Sequence, residues 1–167
     1  FKKLDVNLGW NAETNSLRAH YAEIKEDKIF LISGEGNTVF FDKNNLKNDR
    51  LEFKILPNNI SLILKKNNFQ LIGIRDLYFH GNQVFISMLV KNKKGITINL
   101  YKADLNYEKL EFEIFFKTNE YWNKYNVFSG GRIEKFDNEN ILFSIGFSYV
   151  KNAAQQMNSL LGKIINI

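Results

Sequence analysis

The stretch "DLYFHGNQVFISMLVKNKKGITINLYKADL", residues 76–105, decides the fold. Its apolar runs, "DLYF" (76–79), "VFISMLV" (84–90) and "ITINLYKADL" (96–105), are rich in β-branched and aromatic residues. They are cut by "HGNQ" (80–83) and "KNKKG" (91–95), whose Gly and Asn accept positive φ at low cost. Short runs of this kind between turn-forming clusters predict antiparallel strands, and "LEFEIF" (110–115) closes the set at four.

The same plan recurs on both sides. Upstream, "AHYAEI" (19–24), "IFLIS" (29–33), "TVFFD" (38–42) and "LEFKIL" (51–56) are separated by "KEDK" and "GEGN". Downstream, "RIEKF" (132–136), "ILFSIGF" (141–147) and "GKIINI" (162–167) supply three more strands. Ile29 to Val84 is 55 residues, Val84 to Ile141 is 57 and Leu51 to Leu110 is 59, and "LEFKIL" against "LEFEIF" is the clearest internal match. Four strands per repeat at this period predict an all-β protein made of β-propeller blades. A β-sandwich would have similar strand content but would not predict the recurrent spacing. The expected units are residues 17–56, 74–116 and 129–167, the last incomplete, within one partial propeller domain over 1–167. Because a blade buries its faces against its neighbours and rings close with about 4–8 blades, further blades are expected, from the same polypeptide or another subunit.

Bulk properties narrow the function. The chain has 167 residues, 44% of them hydrophobic and only one Pro, enough for a packed core. The net charge is +5, but Lys and Arg are scattered rather than gathered into the stripe a nucleic-acid binder uses. With no Cys, thiolate metal sites and cysteine nucleophiles are excluded. No apolar run approaches the roughly 20 residues of a membrane span. The first residue is Phe, which predicts an internal start or a cleavage. No zinc motif, P-loop, nucleophile elbow or dinucleotide fingerprint is present, and no metal site is predicted.

"SGGRI" (129–133), "DNENILFSIG" (137–146) and "AAQQMNSLLGKIINI" (153–167) resemble the glucose/sorbosone dehydrogenase family, the soluble quinone-dependent sugar dehydrogenases. That family has a six-bladed propeller fold. The resemblance implies oxidation of a sugar-like alcohol by pyrroloquinoline quinone with calcium, in a periplasmic or extracellular setting. It also implies a general-base histidine three residues before the Gly-Arg pair. Here that position is Phe128, which cannot accept a proton, and general-base help is commonly worth about 10²–10⁴ in rate. An Asp often follows the glycine closing the second strand, and here Phe147 stands there. The chain is therefore expected to be a non-catalytic or degenerate member of this plan that binds a glycan, an anionic ligand or a protein. The alternative is a quinone-dependent dehydrogenase whose catalytic groups lie partly in other blades.

Three basic positions, His20, Arg75 and Arg132, align at the start of each unit's first strand. If first strands line a channel, these groups would face one funnel suited to carboxylates or phosphates. The competing expectation is that the arginines pair with local acids such as Asp76 and Glu134 and brace the blades. Tyr121, Trp122 and Tyr125, in the loop "EYWNKYNVF" (120–128), are candidates for stacking on a sugar or for sealing the gap between blades. His80, in a turn, is expected at the surface. The apolar stretch 61–74 is expected to be an inter-blade connection.

Overall fold

The computed structural model describes residues 20–47, 51–123, 129–146 and 152–167. They form three antiparallel sheets in chain order. The first blade comprises β1 (His20–Lys25), β2 (Lys28–Ser33), β3 (Thr38–Asp42) and β4 (Lys54–Ile55). The second comprises β5 (Gln70–His80), β6 (Gln83–Asn92), β7 (Gly95–Asp104) and β8 (Glu113–Lys117). The third has three described strands, β9 (Gly130–Lys135), β10 (Ile141–Ile145) and β11 (Lys163–Asn166). A short helix, α1 (Ile60–Lys66), lies in the connection from the first blade to the second.

The blades stack face to face in a fixed order. Phe30, Ile32 and Phe40 of the first blade pack on Val84, Ile86, Met88, Val90, Tyr101 and Ala103 of the second. Phe85, Leu89, Ile98 and Leu100, from the second blade's other face, pack on Ile133, Phe143 and Ile145 of the third. Strand side chains alternate between faces, so β6 contributes to both cores, and every residue from Val84 to Val90 is buried. A sheet buried on both faces reads as a continuous apolar run rather than an alternation. Each fully buried Ile, Leu, Phe or Met contributes roughly 1.5–3 kcal/mol. These two inter-blade cores therefore outweigh surface ion pairs such as Lys28 with Asp42, worth about 0–1 kcal/mol. Phe30 joins the first two blades through rings centred 5.5 Å from Phe40 and 4.8 Å from Phe79.

Three boundaries differ from expectation. β4 pairs over only two residues, Lys54 with Phe40 and Ile55 with Val39, which leaves "LEF" (51–53) outside the strand. β5 begins six residues before "DLYF", since the ten-residue β6 offers Leu89, Val90 and Lys91 as further partners. Bulges near Ile72 and Arg75 absorb the extra length. Arg75 consequently sits mid-strand and not at a strand start. Residues 60–66 of the apolar connection are helical, with Ile60 and Ile63 turned into the first core. Among the described residues no helix is long and apolar enough to cross a membrane.

Candidate functional site

The first strands of the blades, β1, β5 and β9, lie side by side and form the inner wall of the stack. Their polar side chains meet at Asp76. This carboxylate, 2% exposed, accepts the Ile133 N–H through Oδ2 at 2.7 Å and Arg132 Nη1 through Oδ1 at 3.2 Å. Burial pushes its pKa up, against the lowering effect of those two partners. Glu23 on β1 is raised by burial and then by the Asp76 charge, with Glu134 adding to it and Arg132 opposing. Tyr78 is raised by burial and by Glu134 and Glu23. The wall thus places three carboxylates, Asp76, Glu23 and Glu134, around the Arg132 guanidinium.

That arrangement changes what the basic positions do. Arg132 pairs with Asp76 and braces blades two and three, while its side chain stays 67% exposed. Glu134 instead accepts the Lys135 N–H. Arg75 is half-buried beneath Gly131, and a Cβ at Gly131 would lie 2.5 Å from the Arg75 Cβ. His20 pairs with Ser33 and shares its face of β1 with Ala22 and Ile24, the face turned away from the second blade. Glu23 lies on the other face. The three basic groups are therefore differently disposed, and the field around Arg132 is set by acids. A uniformly positive funnel is not what β1, β5 and β9 build.

The segments that carry the family resemblance are engaged in architecture. Ser87 Oγ donates to the Gly131 carbonyl at 2.6 Å, crossing from blade two to blade three. Gly131, at φ +108°, approaches Ile98 and Arg75 so closely that no side chain fits. The neighbouring Gly130 packs against the Gly146 backbone, which a Cβ would strike. In "NSLLGKI", Ser159 Oγ donates to Glu120 Oε2 at 2.7 Å and accepts the Leu161 N–H at 3.1 Å. The Leu160 N–H also donates to Glu120. Glu120 thus ties the last loop of blade three to the strap entering that blade.

Trp122 is 4% exposed, belongs to the second core and exchanges both backbone hydrogen bonds with Ile96. It seals blades two and three, as Ile60 does one blade earlier, and offers no open stacking face. Tyr121 stays partly exposed, with Lys94 Nζ 5.7 Å from its ring centre. Tyr125, Phe128 and Phe147 lie outside the described residues. His80 Nε2 is 2.8 Å from the Asn138 carbonyl, and Lys25 Nζ donates to the Gly81 carbonyl at 2.8 Å. The turns between first and second strands are thereby linked across all three blades. Glu23 and Glu120 escaped the sequence reading, since each acquires its role from partners in another blade.

The group that the resemblance implies can be tested against these residues. The resemblance implies a base at position 128, where the chain has Phe. Among the described residues no three His, Asp or Glu side chains converge as a metal site.

No protein-family model matches the chain, and no curated protein matches it. Solved structures do. Two glucose dehydrogenases superpose with TM-scores of 0.67 and 0.68 at 12% identity, each over 91% of this chain and over 45% and 48% of their own. The soluble aldose sugar dehydrogenase from Escherichia coli superposes with a TM-score of 0.65 at 14% identity, over 92% of this chain and 44% of its own. The chain therefore has the propeller-type fold of sugar dehydrogenases and spans under half the length of these structures.

Proposed function

We propose that this chain is a section of a sugar-dehydrogenase-like β-propeller that works as a binding and interaction module rather than as a catalyst. The observation that supports this most is the use to which the resembling segments are put. Gly130, Gly131, Ser159 and Leu160 pack or bridge blades, while the position for the base is Phe128. A shared fold does not carry an activity with it. The half-buried Glu23 and the exposed Arg132 and Glu134 of the inner wall suit the hydroxyls of a glycan or the polar groups of a partner protein. They suit a free anion less well, because carboxylates outnumber the guanidinium. Periplasmic or extracellular placement is part of the same proposal and rests on the family resemblance alone.

The test is reconstitution with pyrroloquinoline quinone and calcium, followed by dye reduction with glucose and other aldoses. No reduction above background is expected, whereas a glycan array should return binders that Glu134→Ala weakens. Sustained, quinone-dependent turnover would overturn the module reading. It would favour the second reading, a dehydrogenase with catalytic groups in other blades, which the partial coverage of the dehydrogenase structures keeps in play.

A further inference from the structure

We infer that the outer edges of the first and second blades carry a repeated cleft for a neutral sugar, one hexose unit to each cleft. The site is separate from the inner wall and does not depend on blades beyond these three.

Register shows that the two clefts are one site repeated. The first, of about 350 Å³, lies where β2 begins, β3 ends and β4 begins. The second, of about 310 Å³, occupies the same corner of β6, β7 and β8. Lys28 pairs with Asp42 across the first sheet as Gln83 pairs with Asp104 across the second. Phe40 pairs with Lys54 as Lys102 pairs with Glu113. Phe41 and Ala103 precede the two aspartates, and Glu52 and Glu111 hold the middle of the two "LEF" runs. Each residue lining the second cleft therefore has its counterpart in the first. The opening is not an effect of an uncovered blade face, since the second blade is packed on both faces and its cleft stays open.

Comparison of the two clefts also selects the ligand. A site for an ion would keep its charge. Here the first cleft sets Lys28 and Lys54 against Asp42 and Glu52, while the second sets Lys102 alone against Asp104, Glu111 and Glu113. What is kept is an aspartate and a glutamate beside a side-chain N–H donor, Lys28 in one and Gln83 in the other. Lys28 Nζ lies 3.5 Å from Asp42. Lys102 is drawn instead to Glu113 at 3.5 Å and sits over the Phe115 ring. Glu52 and Asp104 enter no ion pair among the described residues. Two such carboxylates accept neighbouring hydroxyls through charge-assisted hydrogen bonds, and the donor serves a ring or hydroxyl oxygen. Both volumes stand at the lower end of small-molecule sites, roughly 300–1,000 Å³, which fits one sugar unit to a cleft. A polymer of such units can engage both clefts at once, and bivalent contact exceeds the affinity of one cleft by about 10²–10⁴.

The experiment is native electrophoresis of the assembled protein through gels containing a soluble neutral glucan, mannan or galactan. At least one polymer should retard the protein. Asp104→Ala with Glu111→Ala should weaken that retardation at least tenfold, and Asp42→Ala with Glu52→Ala should do the same, because either pair removes one of two contacts. Glu52, Asp104 and Glu111 are exposed, so urea midpoints should hold. Asp104→Asn with Glu111→Gln retains acceptor oxygens and should keep part of the retardation, which reads the site even where the alanine pair fails to fold. No retardation by any of the three polymers would overturn the inference. So would retardation that survives the loss of both clefts; if Glu134→Ala then abolishes it, the inner-wall reading stands. Oligolysine bound through the same acids, without retardation by a polymer, would overturn it in favour of a basic partner. Cleft-dependent retardation unchanged by Glu134→Ala would support the clefts and count against the inner wall alone.

Discussion

The carboxylate of Asp76 in the second blade accepts the backbone N–H of Ile133 in the third at 2.7 Å, and also holds Arg132. One buried acid thereby fixes the register of two neighbouring sheets. Asp76→Ala would strand the Ile133 N–H and should cost about 1–3 kcal/mol in urea unfolding. Asp76→Asn keeps an acceptor there and should cost less. If both variants are equally unstable, charge rather than the N–H acceptor dominates.

The same residue makes a pH prediction. Burial raises its folded pKa above the unfolded value of ~3.9, so the native state binds the extra proton through that window. Unfolding then releases a proton, and the contribution of Asp76 to stability falls as pH rises through the window. The gap between Asp76→Asn and the parent protein should therefore shift in favour of Asn from about pH 4 upward. A shift in the opposite sense would mean that Arg132 and Ile133 outweigh burial.

Gly131→Ala should be severe. The added Cβ would meet Arg75 Cβ at 2.5 Å and Ile98 Cδ1 at 2.8 Å, at φ +108°. Overpacking and a forbidden φ together predict a loss of roughly 2–5 kcal/mol. Gly81→Ala is the control, at φ +57° with open space around it, and should cost about 1–2 kcal/mol. Similar losses at the two sites would mean that backbone conformation alone matters.

Glu120→Ala removes the acceptor shared by Ser159 and Leu160. Amide exchange over residues 158–163 should accelerate while β5–β7 keep their protection. Unchanged exchange would show that packing of Leu161 holds the loop without Glu120.

Trp122→Ala should cost about 3–5 kcal/mol, the usual loss for a buried Trp. Tyr121→Ala should cost no more than the ~0.5–1 kcal/mol of an exposed cation–π contact. If glycan binding falls with Tyr121→Ala at unchanged stability, the stacking role belongs to Tyr121.

How much was legible beforehand follows from the range of each interaction. β3 over Thr38–Asp42 coincides with "TVFFD", and the 55-to-59-residue period marks out successive blades. Asp76 was visible as a possible partner of Arg132, but its grip on Ile133 was not. Glu120 lies 39 residues before Ser159 and carries no local pattern. The "LEF" echo was plain as a repeat, while its task appeared only when Asn59 was seen on Phe112.

The sequence by itself determined strand, turn and repeat, because alternation, β-branching and the φ freedom of Gly and Asn act within a few residues. It also determined that Phe stands at position 128, where the family resemblance implies a base. Only the tertiary structure decided which acids surround Arg132, that Trp122 is sealed between blades, and that Ile24 and Ile55 of blade one stay exposed while Val39 and Phe41 beside them are buried. Those outcomes depend on how separately formed sheets dock. Docking is governed by burial and by hydrogen bonds between residues 39 to 57 apart, distances at which a linear pattern carries no geometry.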